Sequence, residues 1–386
     1  MFSKTILLFT AFASLHQVDG RFTKSSDLGD YSFEQYMRES GKRYTGAELE
    51  SRRDYFDQNL KRIVNHNSDD KSSYKMGVNM FTDRSPSELK QSFGGNKHAL
   101  GRASTSLKQS THSDSEKLEV LSRLPKSKDW RDAGVVTPVK DQGHCGSCWA
   151  HAAVETIESF LAINTGVLTE ISQQELVACM PNSDNCGGTG GCEGATATLA
   201  FDYLAEFGLP EMWQYGYESA TYWLGADGAC LRDLMYGSQP AMPRTVAADG
   251  YELLPRNDYA ALMDAIANVG PVAINVDASE WHSYEGGVFS GCPQEDVDIN
   301  HVVQLVGYGT CPETGKDYWL VRNSWTSQWG NDGYIKIERE DGYCGTDFHN
   351  GDGVGCDSDP VNVTVCGQCG IMYDSSYPTN TRLWEA

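Results

Sequence analysis

Near its start the chain reads "MFSKTILLFTAFASLHQVDG", with Lys4 ahead of an apolar run from Ile6 to Leu15 and polar residues after it. The run is shorter than the ~20 residues a bilayer-crossing helix needs and has the flanks of a secretory signal, so residues 1–20 are read as one. No later stretch is long and apolar enough to span a membrane. In "GAELESRRDYFDQNLKRIVNHN", Glu48, Arg52, Phe56, Asn59, Ile63 and Asn67 recur three or four residues apart, which sets them on one helix face. That face mixes polar and apolar groups. A solvated helix has no use for such a mixture, so the face is expected to pack on another folded unit. Residues 94–123 are rich in Ser, Gly, Lys and Thr and nearly lack aromatics, the composition of an exposed linker. From Leu124 onward short strands alternate with Gly-rich loops. "HVVQLVGYG", "TCPETGK" and "DYWLVRNSW" predict a hairpin turning near Glu313. In that register His301 faces Trp325, and Asn323 is its diagonal neighbour on the same side of the sheet.

The stretch "KDQGHCGSCWAHAAVE" holds two cysteines, Cys145 and Cys148. Three chemistries use such a pair. A zinc site would need Cys366 and Cys369 as well, far beyond the usual separation of ribbon ligands. A redox dithiol belongs between a strand and a helix, but Pro138 and Gly143 interrupt any strand here. The third is a structural cysteine beside a reactive one. After Cys148, Ala150, Val154, Ile157 and Leu161 mark an amphipathic helix that Gly166 ends. Cys148 would sit at the N-terminus of that helix, where the dipole favours a thiolate. This reading fits best.

Composition adds two constraints. A secreted chain with 12 cysteines should hold most of them in disulfides. Residues 124–386 carry a net charge of −25 and residues 21–123 one of +3, which together make the net −22. An acidic body argues against nucleic acid and anionic membranes as partners and suits an acidic compartment. Charge could hold the front segment to the body and loosen as pH falls.

"QGHCGSCW" resembles the signature of the papain family of cysteine peptidases. "NHVVQLVGYG" resembles that family's histidine strand and "YWLVRNSW" its asparagine segment. The six helix positions above match the E-R-F-N-I-N pattern of cathepsin L-type propeptides, and Gly77, Asn79, Phe81 and Asp83 match its G-x-N-x-F-x-D. The resemblance implies an α+β, papain-like two-domain fold, with a helical domain facing an antiparallel β domain. A mostly helical inhibitory propeptide would occupy about residues 21–123, ahead of a peptidase domain at 124–386. It further implies Cys148 as nucleophile, His301 as base, Asn323 as the group orienting His301, Gln142 as an oxyanion donor and Trp325 as a shield over the His–Asn contact. His144 and His151 have no role in that scheme and are read as structural or surface residues.

The same resemblance implies disulfides Cys145–Cys192, Cys179–Cys230 and Cys292–Cys369. Cys186, Cys311, Cys344, Cys356 and Cys366 remain, an odd number, so one thiol is expected outside the intramolecular bridges. Gly194, Ala195, Thr196, Ala197, Asn275, Ile299, Val302 and Asp374 map to the substrate-binding cleft. Asp374 is read either as an acid that lets the pocket for the second residue before the cut accept a basic side chain or as a solvated acid on its rim. Expected partners are protein and peptide substrates, the chain's own propeptide and cystatin-like inhibitors. No cofactor or metal is expected, and the destination is a lysosome, vacuole or the outside of the cell.

Three features depart from the family. Ala195 stands at a substrate-binding glycine, Thr326 replaces the glycine after N-S-W, and residues 340–368 look inserted. Asp347, Asn350, Asp352, Asp357 and Asp359 in this insertion fit no EF-hand spacing and are read as a solvated acidic loop. Asn362 opens an N-V-T glycosylation sequon. "CGGTGGCEG" lacks a P-loop lysine and is read as cleft wall.

Overall fold

The computed structural model describes residues 22–90, 92–93, 113–219, 230–234, 242–351, 353 and 355–385. The expected signal, residues 94–112 of the linker, and Asp352 lie outside the described residues. In chain order the front segment holds α1 (Phe33–Ser40), α2 (Gly46–Asn67), β1 (Tyr74–Met76), α3 (Pro86–Lys90) and α4 (Asp114–Arg123). The helical half follows with β2 (Lys128–Asp129), α5 (Cys148–Thr165), α6 (Gln173–Cys179), α7 (Ala197–Phe207) and α8 (Leu231–Leu234). The rest runs β3 (Val246–Ala247), β4 (Gly250–Leu253), α9 (Tyr259–Asp264), β5 (Val272–Val276), β6 (Tyr284–Phe289), β7 (His301–Thr310), β8 (Asp317–Arg322) and β9 (Tyr334–Glu338). The last strands are β10 (Cys344–Asp347), β11 (Val363–Cys366), β12 (Ser375–Thr379) and β13 (Arg382–Leu383).

The main sheet is ordered β1-β6-β9-β8-β7-β5-β12-β4, with β2 paired to β7. The β7–β8 hairpin sets Gln304 opposite Arg322 next to the expected His–Asn neighbours, and a bulge between Leu305 and Gly307 shifts the register towards the turn. One core lies on this sheet, around Trp281, Trp319, Trp329 and Ile335. A second surrounds α5, with Trp149, Leu176, Phe201 and Val302. The start of α5 carries Cys148 and the start of β7 carries His301, and the two elements pack together.

Two helices differ from expectation. Helix α5 is buried from Cys148 to Ala162 on every side, including Glu155 and Glu158, because sheet and helices enclose it; one apolar stripe understates its burial. Gly166 does cap it, with φ 76°. Residues 114–123, read as linker, form α4. Ser113 accepts the Glu116 N–H while the Glu116 carboxylate accepts the Ser113 N–H, a reciprocal cap that composition averaging hides.

The front segment has its own core. Phe56 and Ile63 of α2 pack with Leu28, Tyr31, Phe33, Tyr36, Met76 and Val78. The α2 face thus closes onto its own segment and does not seat on the β half. Its polar members staple the fold: Asn67 bonds both backbone groups of Met76, Asn59 donates to the Thr82 carbonyl, and Arg52 forks onto Glu88 at 2.7 and 2.6 Å. Arg52 also lies 3.7 Å from Glu48. Asp83, fully buried, accepts from Tyr36, Tyr44 and Lys42. β1 docks by adding an antiparallel strand to the edge of β6, Tyr74 opposite Gly287. A Cβ at Gly77 would press on the Glu285 side chain at 3.0 Å, so a larger residue there would make that side chain give way.

The insertion is no solvated loop. β10 and β11 form a hairpin closed by Cys344–Cys366. Asp347 and Asn350 are buried: Asp347 accepts the backbone N–H groups of Ile299 and His349, and Asn350 donates to the Pro360 carbonyl. Burial pushes the Asp347 carboxyl up to about 6, against those bonds. Asp357 accepts from Asn185, and Asp359 from the Cys356 N–H. Asn362 lies just before β11 and is exposed.

Candidate active site

Cys148 is the first residue of α5, buried and outside the disulfides. Its N–H belongs to the helix start, whose donors the helix itself does not use. His301 Nε2–H donates to Asn323 Oδ1 at 2.9 Å. That oxygen also accepts the Ser324 N–H at 2.8 Å, which fixes it as an acceptor and so fixes the imidazole tautomer. His301 Nδ1 is left as the basic nitrogen; it is buried and has no hydrogen-bond partner among the described residues. Trp325 covers this pair, its ring 5.0 Å from that of His301.

Gln142 is clamped. Its Oε1 accepts from the Ser324 hydroxyl at 2.6 Å, and its Nε2 donates to the Cys145 carbonyl at 3.0 Å. The same Nε2 donates to the Ser92 carbonyl at 3.0 Å, so the front segment sits on this donor. Phe93 follows, its ring 5.9 Å from His301 and 6.1 Å from Trp325. A Cβ at Gly146 would lie 2.8 Å from the Phe93 carbonyl and 2.5 Å from that of Cys192, so only glycine admits both chains. Phe81 lies edge-on to Trp325 at 5.2 Å, and Asn79 donates to the His282 carbonyl at 2.6 Å. Under this cover, burial pushes the His301 pKa down to about 4, although the Asn323 bond favours the charged ring.

The profile of the papain family cysteine proteases matches residues 124–350, and that of the cathepsin propeptide inhibitor domain matches residues 33–89. The chain belongs to the papain family of cysteine endopeptidases. It is 36% identical to the oryzain beta chain of Oryza sativa subsp. japonica, over 87% of this chain and 63% of that protein. It is 39% identical to the KDEL-tailed cysteine endopeptidase CEP2 of Arabidopsis thaliana, over 86% of this chain and 80% of that one. Among solved structures, a recombinant stem bromelain precursor superposes with a TM-score of 0.69 at 32% identity, covering 90% of this chain and 97% of that one.

Against the papain family frame, the structure joins Cys145 to Cys192, Cys179 to Cys230 and Cys292 to Cys369. Cys186 pairs with Cys356, leaving Cys311, whose Sγ lies 3.0 Å from Glu313. The cleft candidates separate into two groups. Ala195, Ala197 and Val302 share the core around Cys148. Thr196 caps α7, and Asn275, opposite Val302 in the sheet, donates through its side chain to the Asp374 carbonyl at 3.2 Å. Ile299 instead packs with Val297, Val363, Val365 and Tyr373 beneath the insertion. Burial raises the Asp374 pKa, and the positive charge of Arg256 works against that rise. Thr326, at a family glycine position, takes φ 66°, the left-handed region that a β-branched residue rarely adopts. Gly194, with φ 97°, precedes Ala195 and retains the backbone freedom that alanine lacks.

Three histidines refine the expectation. His151 is buried in α5, bonds the Ser147 carbonyl at 2.9 Å and is pushed down to about 3 by burial, a structural residue. His282 carried no sequence signal; its ring stacks on Trp325 at 5.0 Å and Nε2 meets the Ser92 hydroxyl at 3.1 Å. His144, expected to be inert, lines a cavity with Lys42, Tyr44, Arg52, Asp83, Arg84 and Glu88 of the front segment. Burial and the Arg84 charge lower its pKa, with Asp141 opposing and Lys42 adding to the fall. The docked state therefore binds fewer protons there than the released state. Docking is at full strength above the ordinary histidine value of about 6.5 and weakens as pH falls through it. The Arg52–Glu88 fork behaves otherwise. Burial raises the Glu88 pKa, but Arg52 and Ser85 outweigh it and hold it at about 2. Stability from that pair is present above the ordinary carboxylate range and is lost only as pH falls through about 2. His144→Gln should thus lower the pH of half-maximal propeptide release by ~0.5 units, read from processing at a series of pH values, whereas Glu88→Gln, which breaks a fork inside the front segment, should destabilise that segment at every pH from 5 to 7.

Proposed function

We propose that the chain is the zymogen of a secreted or lysosome/vacuole-directed endopeptidase, with signal, propeptide and peptidase at residues 1–20, about 21–123 and 124–386. The bond between His301 Nε2–H and Asn323 Oδ1 carries the mechanism, because it leaves Nδ1 to take the Cys148 proton. The resulting thiolate attacks a peptide carbonyl. The oxyanion is received by the Gln142 amide and the Cys148 N–H, the imidazolium protonates the leaving amine, and water releases the acyl group.

The front segment blocks this twice. Ser92 occupies the Gln142 donor, and Phe93 lies against His301 and helps to bury it, which favours the neutral ring when the thiolate needs a cation. Docking rests on strand addition and aromatic burial more than on charge. The ion pairs Arg62–Glu280 and Lys117–Asp258 do cross to the body, at 3.1 and 3.6 Å. Cystatin-like inhibitors would compete for the same uncovered cleft.

Acid-activated protein should cleave a fluorogenic dipeptide amide at pH 5, and a thiol-directed epoxide should stop it. Reduction of insulin without peptide cleavage would instead favour a thiol–disulfide exchanger. Gln142→Ala should lower kcat by about 10²–10³ with little change in KM, the scale of one lost oxyanion donor.

A further inference from the structure

The insertion crosses from one half of the molecule to the other. Its base is built on the chain leading into His301: β10 runs along residues 294–299, where Val297 N–H donates to the Thr346 carbonyl and Asp347 accepts the Ile299 N–H. Further out, a Cβ at Gly353 would stand 2.0 Å from the Ile299 carbonyl, so the strand of backbone there lies flat on that residue. The tip then reaches the helical half. Cys356 is disulfide-bonded to Cys186, Gly187 N–H donates to the Gly355 carbonyl at 3.0 Å, Asp357 N–H donates to the Asp184 carbonyl at 3.0 Å, and Asn185 donates to the Asp357 carboxylate at 2.7 Å. Gly187 in turn backs onto the cleft: a Cβ on it would meet the Ala195 carbonyl at 2.6 Å and Thr196 Cγ2 at 3.2 Å.

The insertion therefore touches Ile299 on one side and the support of Ala195 and Thr196 on the other. Thr196 and Ile299, one from each half, are positions that the papain resemblance maps to the pocket for the second residue before the cut, and Ala195 is mapped to the adjoining cleft. From this geometry we propose that the disulfide-tethered strap of residues 353 and 355–359 is the end wall of that pocket and limits the size of side chain it accepts. The proposal rests on the peptidase reading given above. A tether at both ends matters physically. A loop fixed only at its base swings aside at small entropic cost, but one also held by Cys186–Cys356 cannot leave without the two halves moving apart. Large side chains then meet a wall, and small aliphatic ones do not.

The test uses processed enzyme, with active sites titrated by a thiol-directed epoxide, and peptides differing only at that residue. The strap predicts that C186A/C356A raises kcat/KM for Phe and Trp peptides by about tenfold relative to the Val peptide, the scale at which a hydrophobic pocket discriminates by size. Asn185→Ala combined with Asp357→Ala keeps the disulfide and serves if the cysteine variant does not fold. It should shift the same ratio by about two- to threefold. Unchanged ratios in a fully titratable variant overturn the strap alone. Failure of wild-type enzyme to titrate overturns the peptidase reading beneath it.

Discussion

Cys148→Ala should abolish peptide hydrolysis, lowering kcat by roughly 10⁶, the scale on which losing the nucleophile of a catalytic unit is felt. The variant should still fold, because the change removes one sulfur from a packed helix start and touches no disulfide. It should also stay unprocessed when acidified alone and be cut in trans by added active enzyme. Hydrolysis within tenfold of wild type, measured on the fluorogenic amide after processing in trans, would assign the chemistry to another group.

The second large effect is on stability. Arg322 ends β8 beside Asn323 and is fully buried, with Nε 3.2 Å from Glu155 Oε2 on α5 and one terminal nitrogen donating to the Thr137 carbonyl at 2.5 Å. This ion pair ties the helix of the nucleophile to the strand that delivers the orienting amide. Burial raises the Glu155 pKa to about 7 although Arg322 and Lys140 lower it, so at pH 8 Arg322→Met strands an ionised carboxylate in the interior and should cost about 3–5 kcal/mol, as breaking a buried pair from one side does. Adding Glu155→Leu should recover much of that loss, since two apolar groups replace two charges that no longer need solvation. Denaturant midpoints of the three proteins measure it. A single-variant loss under about 1 kcal/mol would mean that water reaches the site.

Local signals in the sequence carried much of the site. The hairpin register around Glu313 brought His301 and Asn323 together because strand pairing converts sequence distance into spatial distance by a fixed rule. The α2 spacing likewise gave the propeptide helix face, though not what it packs on, since a face does not name its partner. What lay outside reach was non-local. Nothing in the spacing of Cys186 and Cys356 discloses that they meet across 170 residues. Asp347 and Asn350 read as solvent-facing because their burial is created by Ile299 and Pro360, distant or backbone partners with no compositional trace. His282 and His144 became informative only once Ser92 and Arg84 were seen against them.

The central claim is that Cys148 and His301 form a reactive pair that the front segment keeps dry and neutral. The rate of Cys148 alkylation by iodoacetamide, followed against pH in intact zymogen and in processed enzyme, tests it directly. The account predicts rapid reaction of the processed form at pH 5, where a thiol of ordinary pKa near 8.5 is protonated, and a rate lower by about 100-fold or more in the zymogen. Equal rates in the two forms, or reaction of the processed enzyme only above neutral pH, would contradict it.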